Sequence, residues 1–353
     1  MSLIIDRSLR PAAPALAERR GRRASGALSI VRARVYVPAF GIAAVAAVII
    51  AIGWASRWGG ESLISYATSL RVIVIGPATL AAIGVLLVAE RVWPAQRDRP
   101  LFARGYRQDL LYTVFNATLV VPFVAALTLA FSELIRMHLP WLTLPRIGTL
   151  PRLGAITAIF VAMDACNWFA HLANHRVRAL WRFHELHHSQ EDMSVLTVFR
   201  THPFVHVVYL IALLPGLVLL SNGALPTTLL VIYGAAVALA HSNIRLSFGV
   251  IGRVFVSPNF HRIHHRVEGR QDVNLGFALT IWDQLFGTAV FPTRDTVGLA
   301  TGLPGRPLIV EHGSPRPRHL AVFGAQLLAP FRPVAPSEAA LPRSASTRTT
   351  APR

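Results

Sequence analysis

Long, uninterrupted apolar runs are the feature that most limits how this chain folds. The runs 35–55, 72–89, 110–131 and 154–170 hold almost no charged side chains, and about 20 such residues in a helix are enough to cross a bilayer. Two shorter runs, 204–220 and 227–240, flank a turn-like SNGALP stretch; they either span as a tilted hairpin or enter the membrane as a re-entrant pair. Because backbone groups in lipid must be paired within their own segment, the pattern predicts an all-α, integral membrane helical bundle.

The charge pattern gives this bundle an orientation. The formal net charge is +18, every basic residue is arginine, and the arginines concentrate in residues 1–34 and in the loop 91–107. The positive-inside rule places both segments in the cytoplasm, which brings all the histidine-rich segments to the cytoplasmic face. No basic helix or aromatic-lined groove is visible, so we expect no nucleic-acid partner. An arginine-only basic set is typical of a GC-rich bacterial genome, so the expected location is the bacterial inner membrane.

The chain divides into four predicted segments. Residues 1–34 are a disordered basic cytoplasmic tail, 35–150 hold the N-terminal transmembrane helices, 151–300 form the histidine-rich domain, and 301–353 are a Pro/Arg-rich C-terminal tail. The one cysteine, Cys166, excludes an internal disulfide and any metal site built from several thiolates. Any metal is therefore held by histidine or carboxylate.

Three histidine boxes dominate the domain 151–300. They are HLANH at 171–175, HELHH at 184–188 and HRIHH at 261–265, and His241 stands alone at the end of an apolar run. Residues three and four apart share one helix face, so each box presents its imidazoles as a cluster. A lone histidine is usually a packed or surface residue, but three boxes of this spacing predict metal binding. One zinc site uses about four ligands, so eight box histidines indicate two metal ions.

The ligand type leaves the metal and its chemistry open. Imidazole binds iron, zinc, copper and nickel. Zinc would imply a hydrolase with a carboxylate base such as Asp164, Glu185, Glu191 or Asp192, whereas iron would imply oxygen chemistry on a lipid C–H bond. A metal transporter is a third reading, but it predicts polar residues threading several spans, and the first three runs carry almost none.

Two stretches of the chain resemble the signature of a known family. DACNWFAHLANHRVRALWRFHELHHSQEDMSVLTVFRTHP, from Asp164, and SPNFHRIHHRVEGRQDVNLGFALTIWDQLFGT, ending at Thr288, are similar to the two halves of the signature of the fatty acid hydroxylase superfamily, also called the sterol desaturase family. The second half includes the family's final element, which comprises Asn274, Gly276, Trp282, Asp283, Phe286, Gly287 and Thr288. The resemblance covers about a third of the chain.

The resemblance implies a cytosol-facing, non-haem di-iron centre that hydroxylates or desaturates a lipid with O2. Electrons would come from a separate ferredoxin, cytochrome b5-like protein or reductase, because no haem, flavin or Rossmann motif is present. A dizinc membrane metallohydrolase on the same scaffold is the alternative. The implied metal ligands are His171, His175, His184, His187, His188, His241, His261, His264 and His265. The substrate itself is not indicated.

Several further residues are expected around the ligands. Carboxylates that accept the outer N–H of a ligand imidazole would fix its orientation. The supporting residues expected around the metals are Asp164, Asp192, His202, Asn243, Asn274 and Asp283. The sequence departs from the family pattern at Asn243, where some relatives carry histidine nearby, so Asn243 or a water would complete one metal. Arg200 and Arg262 are expected to be interfacial anchors, with the binding of phosphate groups or partner carboxylates as the alternative.

Overall fold

The structure, a computed structural model, consists of helices joined by loops in the part of the chain that it describes, which is residues 77–99, 105–142, 151–209, 227–303 and 319–332. Within these ranges the only β-pairing is three isolated bridges. The helices are α1 (Pro77–Val92), α2 (Tyr106–Phe115), α3 (Val121–His138), α4 (Arg152–Arg176), α5 (Arg178–His188), α6 (Thr227–His241), α7 (Pro258–His264), α8 (Ile281–Leu285) and α9 (His319–Leu328). The predicted all-α class is confirmed for these residues.

Helix α4 is the described helix that best fits a membrane span. By length and composition, Leu153–Arg176 is the one described stretch that is long and apolar enough to cross a bilayer, and the predicted run 154–170 lies within it. Large apolar side chains also face outward on neighbouring helices, with Val85 66% exposed on α1 and Phe131 49% exposed on α3. Exposed apolar faces of this kind are typically covered by lipid or by a protein partner. The predicted run 35–55 lies outside the described residues.

A π-helical turn at Asn116–Val120 joins α2 to α3 and makes one helical rod of the predicted run 110–131. Pro122 stands in the first turn of α3. Proline has no N–H to donate to the preceding turn and its ring clashes with that turn, so the chain widens by one residue before it. The Asn116 side chain, at the start of this turn, donates to the backbone carbonyls of Phe199 and Thr201.

The break between α4 and α5 places two histidine boxes side by side. Val177 is in an extended conformation, so the chain leaves α4 after Arg176 and starts α5 one residue later. The two helices then pack against each other, with HLANH in the last turns of α4 and HELHH in the last turns of α5. Helix α6 covers the predicted run 227–240; residues 203–209 are helical, and 210–226 lie outside the described residues.

Helix α9 lies inside the segment 301–353, where the sequence pattern predicts no helix. Its Phe323 ring packs on Tyr112 and Phe115 of α2, with ring centres 4.7 and 5.3 Å apart. The Gln108 side chain donates to the carbonyl of His319 at 2.9 Å. This helix therefore covers one side of α2.

Candidate metal centre

All nine histidines expected as ligands lie together in two buried groups. Their nitrogen atoms lie within 4.8 Å of one another in each group, and every one of these residues is at most 9% exposed. The first histidine group is His171, His175, His184, His188 and His264; the second histidine group is His187, His241, His261 and His265. The two groups adjoin, since the His188 and His265 rings stack 4.4 Å apart.

Helical spacing decides which histidine joins which group. In HELHH, His184 and His188 are four residues apart and share the first group, whereas His187 turns to the second. In HRIHH the i, i+4 pair is His261 and His265, which joins the second group, while His264 joins the first. Each of these boxes therefore contributes to both groups, so they hold the two groups against each other.

Hydrogen bonding between imidazoles does not account for the second group. Its Nε2 atoms form a series of contacts: His187 to His241 at 3.0 Å, His241 to His261 at 3.1 Å, and His261 to His265 at 3.2 Å. A neutral ring nitrogen carries either one hydrogen or one lone pair. At most two of these three contacts can be ordinary hydrogen bonds, whereas one cation bound by four lone pairs accounts for all three.

The same distances fit metal coordination. Two nitrogens bound to one ion at about 2.1 Å and at right angles lie about 3.0 Å apart. In the first group, His171 Nε2 and His184 Nε2 are 3.1 Å apart. The Nε2 atoms of His175, His188 and His264 are buried without a hydrogen-bond partner among the described residues. A nitrogen-only, buried donor set of this kind fits iron, zinc, copper or nickel.

Backbone carbonyls fix the tautomers of three of these histidines. The Nδ1 atoms of His171, His264 and His241 lie 2.8 Å from the carbonyl oxygens of Leu275, Val273 and Val237, respectively. A carbonyl only accepts, so each Nδ1 carries the hydrogen and each Nε2 lone pair is left for a metal. Outer bonds of this kind set the orientation of the ring as well as its protonation.

Two buried carboxylates hold the loop that supplies two of these carbonyls. Asp283 accepts from the backbone N–H groups of Leu275 and Gly276 at 2.9 and 2.8 Å. Asp164 accepts from those of Ala278 and Leu279 at 3.1 and 3.2 Å. Both carboxylates therefore reach the metal ligands through the loop 273–280 rather than by accepting a histidine N–H.

The indole and amide side chains complete this support. Trp168 donates to Asp283, and Trp282 donates to Asp164. Asn274, at φ 54°, donates to the carbonyls of Phe260 and Val290 and so ties the loop to α7. Gly276 is required by close approach, because a Cβ there would lie 2.4 Å from the Leu279 carbonyl oxygen.

Helix C-termini converge on the two groups. The ligands lie in the last turns of α4, α5 and α7, and His241 is the last residue of α6. The C-terminus of a helix carries a partial negative charge of roughly −0.5. Neutral imidazoles would leave the charge of a bound metal ion uncompensated, and these helix ends would supply part of the missing negative potential.

Burial keeps the histidines neutral. Outside the apolar helices, the pKa values of His184, His187, His188, His261, His264 and His265 are all held well below the ordinary value of 6.5, first by burial and then by repulsion from neighbouring histidines. A neutral imidazole offers the lone pair that a metal needs.

Three other predicted residues lie outside the two groups. The His202 ring donates to the carbonyl of Leu327 in α9 and accepts from the N–H of Phe204. It therefore links α9 to residues 202–204. Asn243 accepts from Arg262 at 2.7 Å and donates to the carbonyl of Gln96. Asp192 follows the end of α5 at His188 and does not continue its histidine face.

The prediction that Arg200 and Arg262 are interfacial anchors is wrong. Both side chains are buried, at 0% and 1% exposure. Arg200 pairs with Asp109 at 2.5 Å and Arg262 bonds Asn243. Burial lowers the pKa of Arg262 to about 10, so it remains a cation at neutral pH. A buried guanidinium needs a fixed partner, and those partners are distant in sequence.

Two buried acidic residues that were not predicted from the sequence, Glu90 and Asp109, bind segments of the chain next to the histidine groups. Glu90, 4% exposed, accepts from the backbone N–H groups of Val195 and Asn243 at 2.7 and 2.9 Å. Asp109, 0% exposed, accepts from Arg200 and from Gln190. The available signal was their position at the edge of an apolar run, where an unpaired carboxylate is costly.

An apolar cavity of about 620 Å³ opens on both groups. Five of the nine histidines line it: His171, His184, His187, His241 and His261. Its other walls come from α1, from residues 198–209 and from α6, and Phe277 packs against the His171 ring 5.1 Å away. The ligands His175 and His188 lie away from this cavity, against Trp181.

Comparison with known proteins gives a family for the region that carries the site. Residues 156–288 match the model of the fatty acid hydroxylase family. The chain is 37% identical over 132 residues to the ornithine lipid hydroxylase OlsE of Rhizobium tropici, which covers 36% of this chain and 39% of that protein. It is 27% identical over 135 residues to the human alkylglycerol monooxygenase, which covers 36% of this chain and 29% of that protein.

The chain thus spans less than half the length of these curated relatives, and no solved structure matches it. All nine histidines of the two groups fall inside the matched region 156–288. The resemblance carried by the histidine boxes is therefore confirmed, because residues 156–288 match the fatty acid hydroxylase family.

Proposed function

We propose that this protein is a membrane-bound lipid oxygenase that hydroxylates or desaturates a lipid C–H bond at a non-haem centre of two iron ions. The observation that carries the proposal is the opening of two all-histidine groups onto one apolar cavity. The named activities of the relatives, an ornithine lipid hydroxylase and an alkylglycerol monooxygenase, support a lipid substrate and an oxidoreductase class.

The chemistry requires an external reductant. In hydroxylation, one C–H bond breaks and one C–O bond forms; the second oxygen atom of O2 leaves as water after taking up two electrons and two protons. In desaturation, two C–H bonds break, a C=C bond forms, and both oxygen atoms leave as water with the same two electrons and two protons. When bound, the iron ions would supply the activation of O2.

The chain itself would hold the two metal ions, orient the histidines that bind them and shield the reacting carbon from water. The first histidine group would hold one ion and the second group the other, with His171, His241 and His264 oriented by backbone carbonyls. The apolar cavity would keep water from the reacting carbon. Neither group contains a carboxylate, and Asp164 and Asp283 are occupied by N–H donors, so the base that a dizinc hydrolase needs has no support here.

The electron donor and the membrane orientation belong to the same proposal. The donor is a ferredoxin, a cytochrome b5-like protein or a reductase, and the arginine-rich loops favour an acidic partner at the cytoplasmic face of a bacterial inner membrane. Fusions of a cytoplasmic and a periplasmic reporter to the N-terminus test this orientation, and activity of the periplasmic reporter would contradict it.

The decisive experiment follows the oxygen atom. Protein purified in detergent is loaded with ferrous ion, reduced and given membrane lipids under isotopically labelled O2. We expect labelled hydroxyl in a lipid product, or an O2-dependent alkene, together with two irons per chain by elemental analysis. Full activity with zinc alone, with oxygen derived from water, would establish the dizinc hydrolase instead.

A further inference from the structure

One wall of the cavity carries a phenol whose direction is fixed by its neighbours. Tyr233 of α6 lines the cavity together with five of the histidines. Its ring packs edge to face on Phe160 of α4, with ring centres 6.0 Å apart, and stacks on Phe277 of the loop 273–280, with ring centres 6.3 Å apart. Because two aromatic rings from different elements hold this ring, the position of its hydroxyl is set by the fold.

The Tyr233 hydroxyl lies beside two side chains of α4, the Asp164 carboxylate and the Asn167 amide. The hydroxyl is buried, and its contacts with these two groups are looser than an ordinary hydrogen bond. Asp164 is 0% exposed and accepts from two backbone amides and from the Trp282 indole. A carboxylate that accepts three N–H groups acts purely as an acceptor, so it attracts the hydrogen of the neighbouring phenol.

This arrangement leaves the Tyr233 oxygen available as an acceptor toward the cavity. A phenol offers one hydrogen and its oxygen lone pairs. With the hydrogen directed at Asp164, a molecule in the cavity meets the lone pairs. Asn167 also lines the cavity, but its Nδ2 donates to the carbonyl of Met163 at 3.1 Å. The group that fits Tyr233 is therefore one that donates a hydrogen bond, an O–H or an N–H.

The Tyr233 hydroxyl lies close to the first histidine group. Asn167 precedes His171 by four residues on α4, which places their side chains on one face at about 5–6 Å. Phe277 bridges the same two places, because its ring packs on Tyr233 and, 5.1 Å away, on His171. A group held at Tyr233 would therefore fix which carbon of the same molecule lies at the metal groups.

We infer that Tyr233, oriented by Asp164, accepts a hydrogen bond from an O–H or N–H group of the lipid inside the cavity. The inference rests on the proposed function and adds a determinant of substrate choice to it. A few fixed polar groups in a largely apolar cavity commonly set the orientation of a ligand. The substrate then carries a hydroxyl or an amide close to the carbon that reacts, and the oxidised position is counted from that group.

Binding to protein that does not turn over tests the inference. The protein is loaded with zinc in lipid nanodiscs and titrated with two pairs of long-chain lipids. One pair is a secondary amide and its N-methyl derivative, and the other is an alcohol and its methyl ether, so methylation removes the donor hydrogen in each. We expect the donor of one pair to bind about tenfold more tightly than its methylated form. The pair that shows this preference identifies the donor as amide or hydroxyl.

A matched pair of variants assigns the preference to Tyr233. Tyr233→Phe keeps the ring and removes the acceptor, so the preference should fall to about one; a preference caused by the bulk of the methyl group would persist. Tyr209→Phe is the control, because Tyr209 also lines the cavity and packs on Phe277 at 5.4 Å, but its hydroxyl lies beside Asn174. It should retain the preference. Metal content measured on both variants checks that the histidine groups are intact.

Three binding results would overturn the inference: no preference in the parent, a preference that survives in Tyr233→Phe, or one that Tyr209→Phe abolishes equally. Product analysis separates these from the proposed function. An O2-dependent product combined with equal binding within both pairs would reject the donor site and leave the oxygenase intact. A preference that depends on Tyr233, with no O2-dependent product from any lipid, would reject the oxygenase and leave the donor site standing.

Discussion

Three of the nine histidines in the two groups are oriented by backbone carbonyls outside those groups. His171 and His264 donate to carbonyls of the loop 273–280, and His241 donates to a carbonyl one turn earlier in α6. The loop carbonyls are positioned in turn by Asp283 and Asp164 through backbone amides. The geometry of the proposed metal site therefore depends both on the histidines and on Asp164 and Asp283, which position the loop that orients two of them.

Removal of His187 should remove about half of the metal. His187→Ala takes one ligand from the four of the second group, and the remaining three histidines hold the ion much less tightly. We expect the metal content to fall from two ions to about one per chain and product formation to be lost. Elemental analysis and lipid mass spectrometry check this. His138→Ala, which changes an exposed histidine at the end of α3, is the control.

Asp283→Asn should act on metal binding although Asp283 touches no ligand. The substituted amide would present N–H groups to the donors that Asp283 accepts, among them Leu275, Gly276 and Trp168. We expect a tenfold to hundredfold weaker metal affinity and a loss of about 1–3 kcal/mol in unfolding free energy. Competition with a metallochromic chelator and thermal unfolding measure the two effects. Unchanged affinity would contradict the role, and the exposed Asp295→Asn provides the baseline.

At the scale of elements, four helices end at the metal groups and a buried ion pair fastens a fifth. Asp109 in the first turn of α2 binds Arg200 and, through its other oxygen, Gln190, which follows α5 by two residues. Arg200 also donates to the carbonyl of Gly105. This contact ties the start of α2 to the end of the helix that carries HELHH.

Asp109→Asn should be strongly destabilising. It would leave the Arg200 guanidinium buried without its counter-ion, which costs about 3–5 kcal/mol. The double variant Asp109→Leu with Arg200→Met should recover much of this loss, because an apolar pair of similar volume carries no desolvation penalty. Asp272→Asn at the partly exposed pair with Arg270 should cost less than about 1 kcal/mol. Chemical unfolding in detergent compares the three; equal losses at Asp109 and Asp272 would contradict the assignment.

At the scale of the whole molecule, metal binding at the two histidine groups would stabilise the fold. The nine histidines come from the ends of four helices, in segments nearly a hundred residues apart. An ion that binds only the folded chain stabilises it by mass action, by about 2.7 kcal/mol when its concentration is a hundred times the dissociation constant.

Chelation should therefore lower the melting temperature by several degrees, and ferrous or zinc ion should restore it. The measurement is intrinsic-fluorescence melting of detergent-purified protein before and after dialysis against a chelator. The variant His187→Ala should show a smaller shift than the parent because it begins with fewer ions. An identical melting temperature with and without metal would indicate that the groups are preorganised without it.

The sequence by itself determined the local features of this protein. The apolar runs specify helices, since backbone groups in a long apolar segment are paired within it. The i, i+3, i+4 spacing of HELHH and HRIHH specifies clustered imidazoles, because 3.6 residues per turn places them on one face. The family resemblance rested on the same residues, and the comparisons bear it out.

Only the tertiary structure decided how these clusters combine. Spacing alone does not reveal that His187 and His264 leave their neighbours to join the other group, because that division depends on where α5 and α7 meet. The contacts of Asp164 with Ala278, of Asp283 with Trp168 and of Arg200 with Asp109 join segments about ninety or more residues apart. The cavity likewise has walls from three distant stretches, and no local pattern encodes how they pack together.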